Sequence, residues 1–256
     1  MKERRPLILV SNDDGVTAKG LNELISYIRV FGDVVVVAPD SAQSGKACAV
    51  SASTPIHYRE VHKEEGLEIY ACSGTPVDCV KLAKNVLLNR NPDLLVSGIN
   101  HGDNSAVNVH YSGTVGAAIE GCISAIPSLA FSLCNHDADA DFSKTKSYIQ
   151  QLVQLVLKEG LPQWTCLNVN FPEVVVYKGL KVCEQATGRW VKELEPCPRT
   201  RDKNYYWLSG NFQAQEPDND KTDFWALHNG YVAITPITVE VTAHHYIEKL
   251  SDLLKA

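Results

Sequence analysis

Two adjacent carboxylates, Asp13 and Asp14, directly follow a short apolar run near the start of the chain. The run, Leu7–Val10, is typical of a buried strand in a parallel sheet. Residues just beyond such a strand lie where open α/β sheets bind their ligands. Neighbouring carboxylates repel each other, and a hard cation such as Mg²⁺, Mn²⁺ or Ca²⁺ would offset that repulsion. The alternative is an ordinary turn, which Asn12 and Gly15 also favour, and this stretch alone supports both interpretations equally.

Two later polar loops are predicted to meet these carboxylates at one edge of the sheet. Ser44 follows a second apolar run, and Asn100 and Asn104 follow a third. Carboxylates together with hydroxyl and amide oxygens can form a hard-metal site that leaves positions open for water and substrate. Taken alone, Ser44 also fits an ordinary turn, so this prediction depends on the coincidence of the three loops.

A fourth polar segment, Ser112-Gly113-Thr114, leads into a predicted helix. The free backbone amides at a helix N-terminus and the positive end of the helix dipole form an anion site that suits phosphate. A simple helix cap is the alternative interpretation. A metal ion beside a phosphate indicates phosphoryl chemistry, in which the ion polarises the phosphate and lowers the pKa of its water.

Other catalytic designs find less support in the sequence. The glycines of residues 98–102 do not form a dinucleotide-binding fingerprint, and no Gly-x-Ser-x-Gly elbow is present. Phosphatases that form an aspartyl-phosphate carry Asp-x-Asp-Gly after their first strand. Here Asn12 occupies the nucleophile position, where an amide cannot replace a carboxylate, so attack by metal-activated water is the better interpretation. Four histidines are predicted to be structural or at the surface: His101, His110, His244 and His245.

The elements that position these loops alternate between strands and helices, which predicts an α/β fold with a mostly parallel sheet. A helix that begins near Lys19 and is ended by Gly32 joins the first strand to a second at 34–38, and this unit should be parallel and right-handed. Thr75 and Pro76 predict the capped start of another helix. The later elements are a strand at 93–96, a helix at 115–125, a strand at 127–133, a helix at 142–157 and a strand at 166–170.

The pattern of the sequence changes beyond residue 172. Extended segments are predicted at 174–177, 181–183, 205–208 and 230–236, with a short helix at 243–254. We therefore expect residues 1–172 to form an α/β core and residues 173–256 to form a β-rich extension of the same domain. The aromatic residues of the extension suit an oligomerisation arm as well as a purely internal role.

The composition is that of an ordinary soluble protein, with 45% hydrophobic and 21% charged residues. The net charge of −6 and the lack of a basic stripe argue against a nucleic acid polymer as partner. No apolar stretch reaches transmembrane length, and the basic N-terminus does not continue as a signal peptide. Eight scattered cysteines without a Cys-x-x-Cys pair predict reduced thiols. We therefore expect a cytoplasmic protein without a membrane partner.

Several motifs together resemble the SurE family of stationary-phase survival nucleotidases, over nearly the whole chain and in the family's order. They are Ser-Asn-Asp-Asp-Gly at 11–15, Val-Ala-Pro-Asp at 37–40, Gln-Ser-Gly at 43–45, Ser-Gly-Thr-Pro-Val-Asp-Cys-Val at 73–80, Val-Ser-Gly-Ile-Asn at 96–100, Tyr-Ser-Gly-Thr-Val at 111–115, Asn-Val-Asn-Phe-Pro at 168–172 and Gly-Tyr-Val-Ala-Ile-Thr-Pro at 230–236. The resemblance implies a Rossmann-like three-layer α/β core. It also implies a C-terminal extension that is exchanged between the subunits of a homodimer or homotetramer.

The same resemblance implies a metal-dependent 5′-nucleotidase that hydrolyses nucleoside 5′-monophosphates, with 3′-nucleotides and short polyphosphate as further substrates of related members. The implied ligands of one divalent ion per subunit, Mg²⁺ or Mn²⁺, are Asp13, Asp14, Ser44 and Asn100. The implied phosphate contacts are Asn104, Ser112, Gly113 and Thr114. The alternatives are an exopolyphosphatase and a non-catalytic regulatory module that binds a nucleotide or a metal.

Overall fold

The computed structural model describes residues 4–198 and 204–255. Its strands are β1 (Leu7–Ser11), β2 (Asp33–Pro39), β3 (Tyr58–Glu64), β4 (Leu67–Cys72), β5 (Leu94–His101), β6 (Ser128–Leu133), β7 (Thr165–Phe171), β8 (Leu180–Val182), β9 (Gly188–Val191), β10 (Leu194–Pro196), β11 (Tyr206–Leu208), β12 (Asn211–Ala214) and β13 (Val232–Thr238). Nine of them form one sheet, in the order β3-β4-β2-β1-β5-β6-β7-β13-β8. The six strands from β4 to β7 in this order are parallel, whereas β3 and β13 run antiparallel to β4 and β7.

Helices cover both faces of this sheet. The helices of the described residues are α1 (Lys19–Ile28), α2 (Pro76–Leu82), α3 (Gly113–Ile123), α4 (Lys146–Glu159), α5 (Asp223–His228) and α6 (His244–Leu253). Of these, α6 is fully exposed and covers neither face. Alternate residues of β1 point to opposite faces, so Ile8 packs in the core beneath α1 and α4, and Leu9 packs in the core beneath α2 and α3. The predicted three-layer α/β fold is confirmed.

Local sequence signals account for the start of α2. Thr75 Oγ1 accepts a hydrogen bond from the Asp78 main-chain N–H, and the Asp78 carboxylate accepts one from the Thr75 N–H. This reciprocal capping box, followed by Pro76 at the first helical position, is the arrangement predicted from the sequence. A π-helical turn over Ala83–Leu87 continues the helix.

The strand order places three polar loops side by side. Strand β1 lies between β2 and β5 in the sheet. After β1 the chain continues to β2 and β4 on one side of β1, and it then crosses to β5 on the other side. Ligands of open α/β sheets bind at such a switch point, outside the carboxyl ends of the strands. The loops that follow β1, β2 and β5 therefore share one edge, as the sequence predicted.

Three local predictions are wrong. Gly32 does not cap α1, which ends at Ile28; it lies against the chain at Pro6, where a Cβ would come within 2.3 Å of the Pro6 carbonyl oxygen. The segment at 174–177 does not form a strand. In addition, β5 continues past Val96 to His101, with a shift of register between Ser97 and Asn100, so that Asn100 lies on the strand rather than in a loop.

The chain beyond residue 172 contributes to several parts of the molecule. Strands β13 and β8 extend the main sheet, whereas β9 pairs with β12 and β10 pairs with β11 in two separate antiparallel ribbons. We call residues 188–198 and 204–214, which contain these ribbons, the arm. Every residue of α6 is exposed. In the described ranges, no helix combines the length and apolar character needed to cross a membrane.

Candidate functional site

The carboxylate pair lies directly after β1, where Gly15 turns the chain with a positive φ of 105°. Asp13 is almost fully buried, and Asp14 is partly buried. Burial, together with the charge of Asp14, raises the pKa of Asp13 to about 6, although a hydrogen bond from Thr114 opposes the rise. Burial also raises the pKa of Asp14. For both carboxylates, burial outweighs the hydrogen bonds that favour the charged form.

Two of the residues predicted to contact phosphate also support Asp13. The Thr114 hydroxyl is fully buried and donates a hydrogen bond to Asp13 Oδ1. Gly113 packs against the same side chain, since a Cβ at this position would come within 2.8 Å of Asp13 Cβ. Ser112 is the N-cap of α3, and its Oγ accepts a hydrogen bond of 3.0 Å from the Val115 N–H. The start of α3 is therefore fitted to the first carboxylate.

Thr114→Val is expected to weaken binding of a divalent ion by about 10- to 100-fold, the usual effect of losing a group that orients a metal ligand. Valine keeps the branched shape of threonine but has no hydroxyl donor. Asp13 therefore loses the contact that orients it and that opposes the rise in its pKa. Titration calorimetry with Mg²⁺ and with Mn²⁺ measures the change.

Thr114→Ser is the matched control, because serine retains the hydroxyl and should bind the ion nearly as well as the wild type does. Since the ion binds deprotonated carboxylates, its affinity should rise as the pH increases through the Asp13 pKa of about 6. The valine variant should require a higher pH than the serine variant. Equal affinities for both variants at every pH would exclude a positioning role for the hydroxyl.

The loop after β2 is tied to the carboxylate pair through the main chain. The Gln43 N–H donates a 2.7 Å hydrogen bond to the Asp13 carbonyl, and the Val16 N–H donates a 2.8 Å bond to the Pro39 carbonyl. Ser44, the next residue along, is exposed and lines the cleft in front of Asp13. The predicted hydroxyl ligand therefore lies in the same cleft as the first carboxylate.

Asn100 reaches the same cleft from the end of β5. Its amide nitrogen donates a 2.8 Å hydrogen bond to the Gly102 carbonyl, which turns the amide so that its oxygen remains for another partner. The main-chain N–H of His101 donates a 3.3 Å hydrogen bond to Asp14 Oδ2. These bonds connect the end of β5 to the end of β1 and bring the second carboxylate close to the amide.

Asn104 is held by a buried network of polar side chains from β6 and β7. Its main-chain N–H donates to Asn170 Oδ1 at 2.8 Å, and its carbonyl accepts from Asn168 Nδ2 at 2.8 Å. Its side-chain nitrogen donates to Ser132 Oγ at 2.7 Å. The alternation Asn-Val-Asn within β7 puts both asparagines on one face of the strand, and this is the sequence signal that could have identified them.

A cleft of about 680 Å³ brings most of the predicted residues together. The predicted residues that line it are Asp13, Ser44, Asn100, Asn104 and Ser112; Asp14, Gly113 and Thr114 are close to lining residues in the sequence but do not line it themselves. The cleft is also lined by residues that the sequence did not single out, among them His136 and Trp190. His101, predicted to be structural or at the surface, lines the cleft too and packs edge-on against Phe142.

The side chains around the carboxylates fit a hard divalent cation. In the part of the chain that the structure describes, no lysine or arginine lines this cleft, and the partial opposition of His101 and His136 does not prevent burial from raising the pKa of Asp14. The described residues also include no cluster of three His, Cys, Asp or Glu side chains suited to a metal. An ion here would therefore combine two carboxylates with hydroxyl and amide oxygens, a set that Mg²⁺ and Mn²⁺ accept.

Comparison with known proteins gives one consistent result. Residues 8–192 match the model of a family described as survival protein SurE. A protein of Bacteroides fragilis named 5′-nucleotidase SurE is 55% identical over 98% of this chain and 99% of its own length. The protein of the same name from Bacteroides thetaiotaomicron is 56% identical over 98% of this chain and 97% of its own length. The crystal structure of the SurE protein from Aquifex aeolicus superposes with a TM-score of 0.81, at 35% identity, over 97% of this chain and 99% of that one.

Proposed function

The chain belongs to the SurE family, and we propose from this membership and from the cleft that it is a 5′-nucleotidase, which hydrolyses nucleoside 5′-monophosphates to a nucleoside and phosphate. The observation that carries the proposal is the convergence of Asp13, Ser44 and Asn100, from the ends of three neighbouring strands, in one cleft with Asn104 and Ser112. Relatives at 50–56% identity over almost the whole chain bear the name 5′-nucleotidase SurE. Hydrolysis of a phosphate monoester is the chemistry that such a site supports.

We propose that one divalent ion per subunit, Mg²⁺ or Mn²⁺, is held by Asp13, Asp14, Ser44 and Asn100. When bound, an ion of this kind polarises the phosphate and lowers the pKa of its water, so that a nucleophile is available at neutral pH. The two carboxylates supply the negative charge that attracts the ion. The hydrogen bonds to Asp13 and Asp14 keep both side chains in place before the ion arrives, which lowers the cost of binding it.

We assign the phosphate to Asn104 and Ser112, which line the same cleft. An asparagine amide nitrogen carries two hydrogens, and only one of those of Asn104 is donated to Ser132. The second can be donated to a phosphate oxygen. Ser112 Oγ accepts a bond from Val115 and keeps its own hydrogen for the same purpose. Donors fixed in this way stabilise the charge that develops on phosphate oxygens during hydrolysis.

The experiment that tests this function is an assay of phosphate release from nucleoside 5′- and 3′-monophosphates and from polyphosphate, with Mg²⁺, with Mn²⁺ or with a chelator. We expect release from 5′-monophosphates with either metal, and none with the chelator. Preferred hydrolysis of polyphosphate would instead identify an exopolyphosphatase. A folded protein that binds metal and nucleotide but releases no phosphate from any substrate would refute the enzymatic function and support a regulatory module.

We also propose that the chain assembles into a homodimer or homotetramer through its C-terminal region. The exposed helix α6 carries apolar residues three, four and seven positions apart, which gives it one apolar face. These residues are Tyr246, Ile247, Leu250, Leu253 and Leu254, all exposed. In the arm, Tyr206, Trp207 and Leu208 are also exposed. Apolar patches of this kind mark protein interaction sites, and a second copy of the chain is the partner we expect.

Leu250→Glu is expected to shift the protein from an oligomer toward a single chain, because a carboxylate would have to be buried in an apolar contact. Light scattering coupled to gel filtration measures the mass. Ser251→Glu, which introduces the same residue one position further along α6, should leave the oligomer intact. A wild-type protein that is strictly monomeric, or equal dissociation in both variants, would contradict an interface at the apolar face of α6.

We retain the cytoplasm as the proposed location of the enzyme. Cys72, Cys79 and Cys166 are buried and are thiols rather than disulfides. A reduced state of buried cysteines is typical of proteins in a reducing compartment.

A further inference from the structure

The cleft has two ends of different chemistry. At one end lie the oxygen and nitrogen atoms assigned to the ion and the phosphate, around Asp13 and Asn104. At the other end the arm lines the cleft with Trp190, Leu208 and Gly210, together with the polar side chains of Glu193 and Ser209. A nucleotide has a matching division, with a charged phosphate at one end and a flat, mostly apolar base at the other.

Trp190 is held in one orientation by Asn108, which also lines the cleft, and by Phe212. Its indole N–H donates a 2.9 Å hydrogen bond to Asn108 Oδ1, and its ring lies edge-to-face against Phe212 with the centroids 6.1 Å apart. Asn108 is held in turn by Asp103, which accepts a hydrogen bond from its amide nitrogen at 3.4 Å. An aromatic ring fixed before binding loses little conformational entropy when a ligand stacks on it.

We propose that Trp190 is the stacking platform for the nucleobase, so that the arm supplies the base subsite of the cleft. The inference rests on the proposed nucleotidase function, because the phosphate end of the cleft fixes the direction in which the nucleoside extends. Stacking of a base on an aromatic ring tolerates every base, since each base has a π-face. Trp190 therefore distinguishes nucleotides from other phosphate monoesters, and it does not select among the bases by hydrogen bonding.

Two neighbouring features are weaker candidates for the same role. Tyr111 also lines the cleft, but its side chain is 60% exposed. On the other side of Trp190 lies a separate pocket of about 380 Å³, lined by Phe224 and His228 among others. The rings of Phe224 and His228 already pack on each other, with centroids 4.0 Å apart, and none of the predicted metal or phosphate residues lines that pocket.

The test compares AMP with ribose 5-phosphate, which carries the same sugar and phosphate without a base. Trp190→Ala is expected to lower kcat/KM for AMP by about 10-fold, mainly through KM, a loss within the range that base stacking supplies. Its effect on ribose 5-phosphate should be much smaller, because that substrate does not reach the ring. Trp190→Phe keeps an aromatic face and should retain most of the preference for AMP.

Two control variants separate stacking from a structural effect. Trp164→Ala makes the same change at a partly exposed tryptophan just before β7, and Phe224→Ala alters the neighbouring pocket. Both should keep the wild-type ratio of AMP to ribose 5-phosphate. If Trp190→Ala loses kcat/KM equally on AMP and on ribose 5-phosphate, so that the ratio of the two values is unchanged, the proposal is refuted. If Phe224→Ala, and not Trp190→Ala, lowers the ratio of kcat/KM for AMP to that for ribose 5-phosphate, the base binds in the neighbouring pocket and the proposal is also refuted.

Calorimetric binding of AMP and of ribose 5-phosphate to the same four variants keeps this inference separate from the proposed function. If the wild-type protein binds AMP but releases no phosphate, the nucleotidase function fails while the binding comparison still decides the subsite. If the wild type hydrolyses AMP, and Trp190→Ala binds AMP and ribose 5-phosphate in the wild-type ratio, the function stands and the base subsite is refuted.

Discussion

Asp14→Asn is expected to abolish metal-dependent phosphate release, with kcat/KM lowered by about 10³-fold or more, because a bound cation supplies several kcal/mol of transition-state stabilisation. Asparagine keeps the shape of the side chain and an oxygen that can accept the hydrogen bond from the His101 N–H. It removes one of the two negative charges that attract the ion. Phosphate release and calorimetric titration of Mg²⁺ and Mn²⁺ measure the two losses.

The same variant should not lose stability when metal is absent. Burial raises the pKa of Asp14 in the folded state. Between the pKa of this carboxyl in the unfolded chain and its higher pKa in the folded protein, the folded protein therefore binds more protons. Stability falls as the pH rises through this range, because the folded protein must then hold a buried charge. A neutral amide removes the penalty at neutral pH, so Tm in chelator should be equal to or higher than that of the wild type. Added Mg²⁺ should raise Tm of the wild type only, because only the wild type binds the ion tightly.

Asp40→Asn is the matched control for this substitution. Asp40 follows β2 on the loop that leads to Ser44, but it is exposed and does not line the cleft. The control should keep wild-type turnover and the response of Tm to Mg²⁺. Activity of Asp14→Asn within about 10-fold of the wild type, which is a loss of only about 1.4 kcal/mol, would show that Asp14 is not a ligand of the essential ion.

Short-range signals explain which parts of the site could be predicted. A buried run such as Leu7–Val10 is recognised from four neighbouring residues, and parallel strands place the loops that follow them at one edge. Asp13 and Asn100 could therefore be expected at that edge before any contact between them was known. The capping box of Thr75 and Asp78 is likewise complete within four residues.

The parts of the site that could not be predicted depend on contacts between residues distant in the sequence. No local pattern indicates the hydrogen bond from the Thr114 hydroxyl to Asp13, which lies about 100 residues earlier in the chain. No local pattern indicates Trp190, which reaches the cleft only because β9 pairs with β12 across the arm. The strands of the arm are three or four residues long, too short for alternation of apolar residues to predict them.

The network around Asn104 shows how a buried polar cluster can fix a hydrogen-bond donor at the edge of the cleft. Main-chain hydrogen bonds to Asn168 and Asn170 fix the backbone of Asn104, and Ser132 fixes its amide. These partners lie on β6 and β7, in the sheet, so the amide is positioned by the most rigid part of the fold. A donor fixed before reaction stabilises developing charge without the cost of reorganisation.

Asn104→Ala is therefore expected to lower kcat for AMP by about 100-fold, the loss typical of removing one fixed donor to a developing oxyanion. The main-chain bonds to Asn168 and Asn170 do not involve the deleted amide. Only Ser132 Oγ loses a partner, which costs about 1–3 kcal/mol of stability, so the variant should fold. Steady-state kinetics on AMP and thermal unfolding measure the two effects.

Asn135→Ala, at an asparagine that hydrogen-bonds to Glu173 outside this cleft, should keep kcat. A fall in stability without a fall in kcat in Asn104→Ala would mean that this amide supports the fold and does not act on the phosphate.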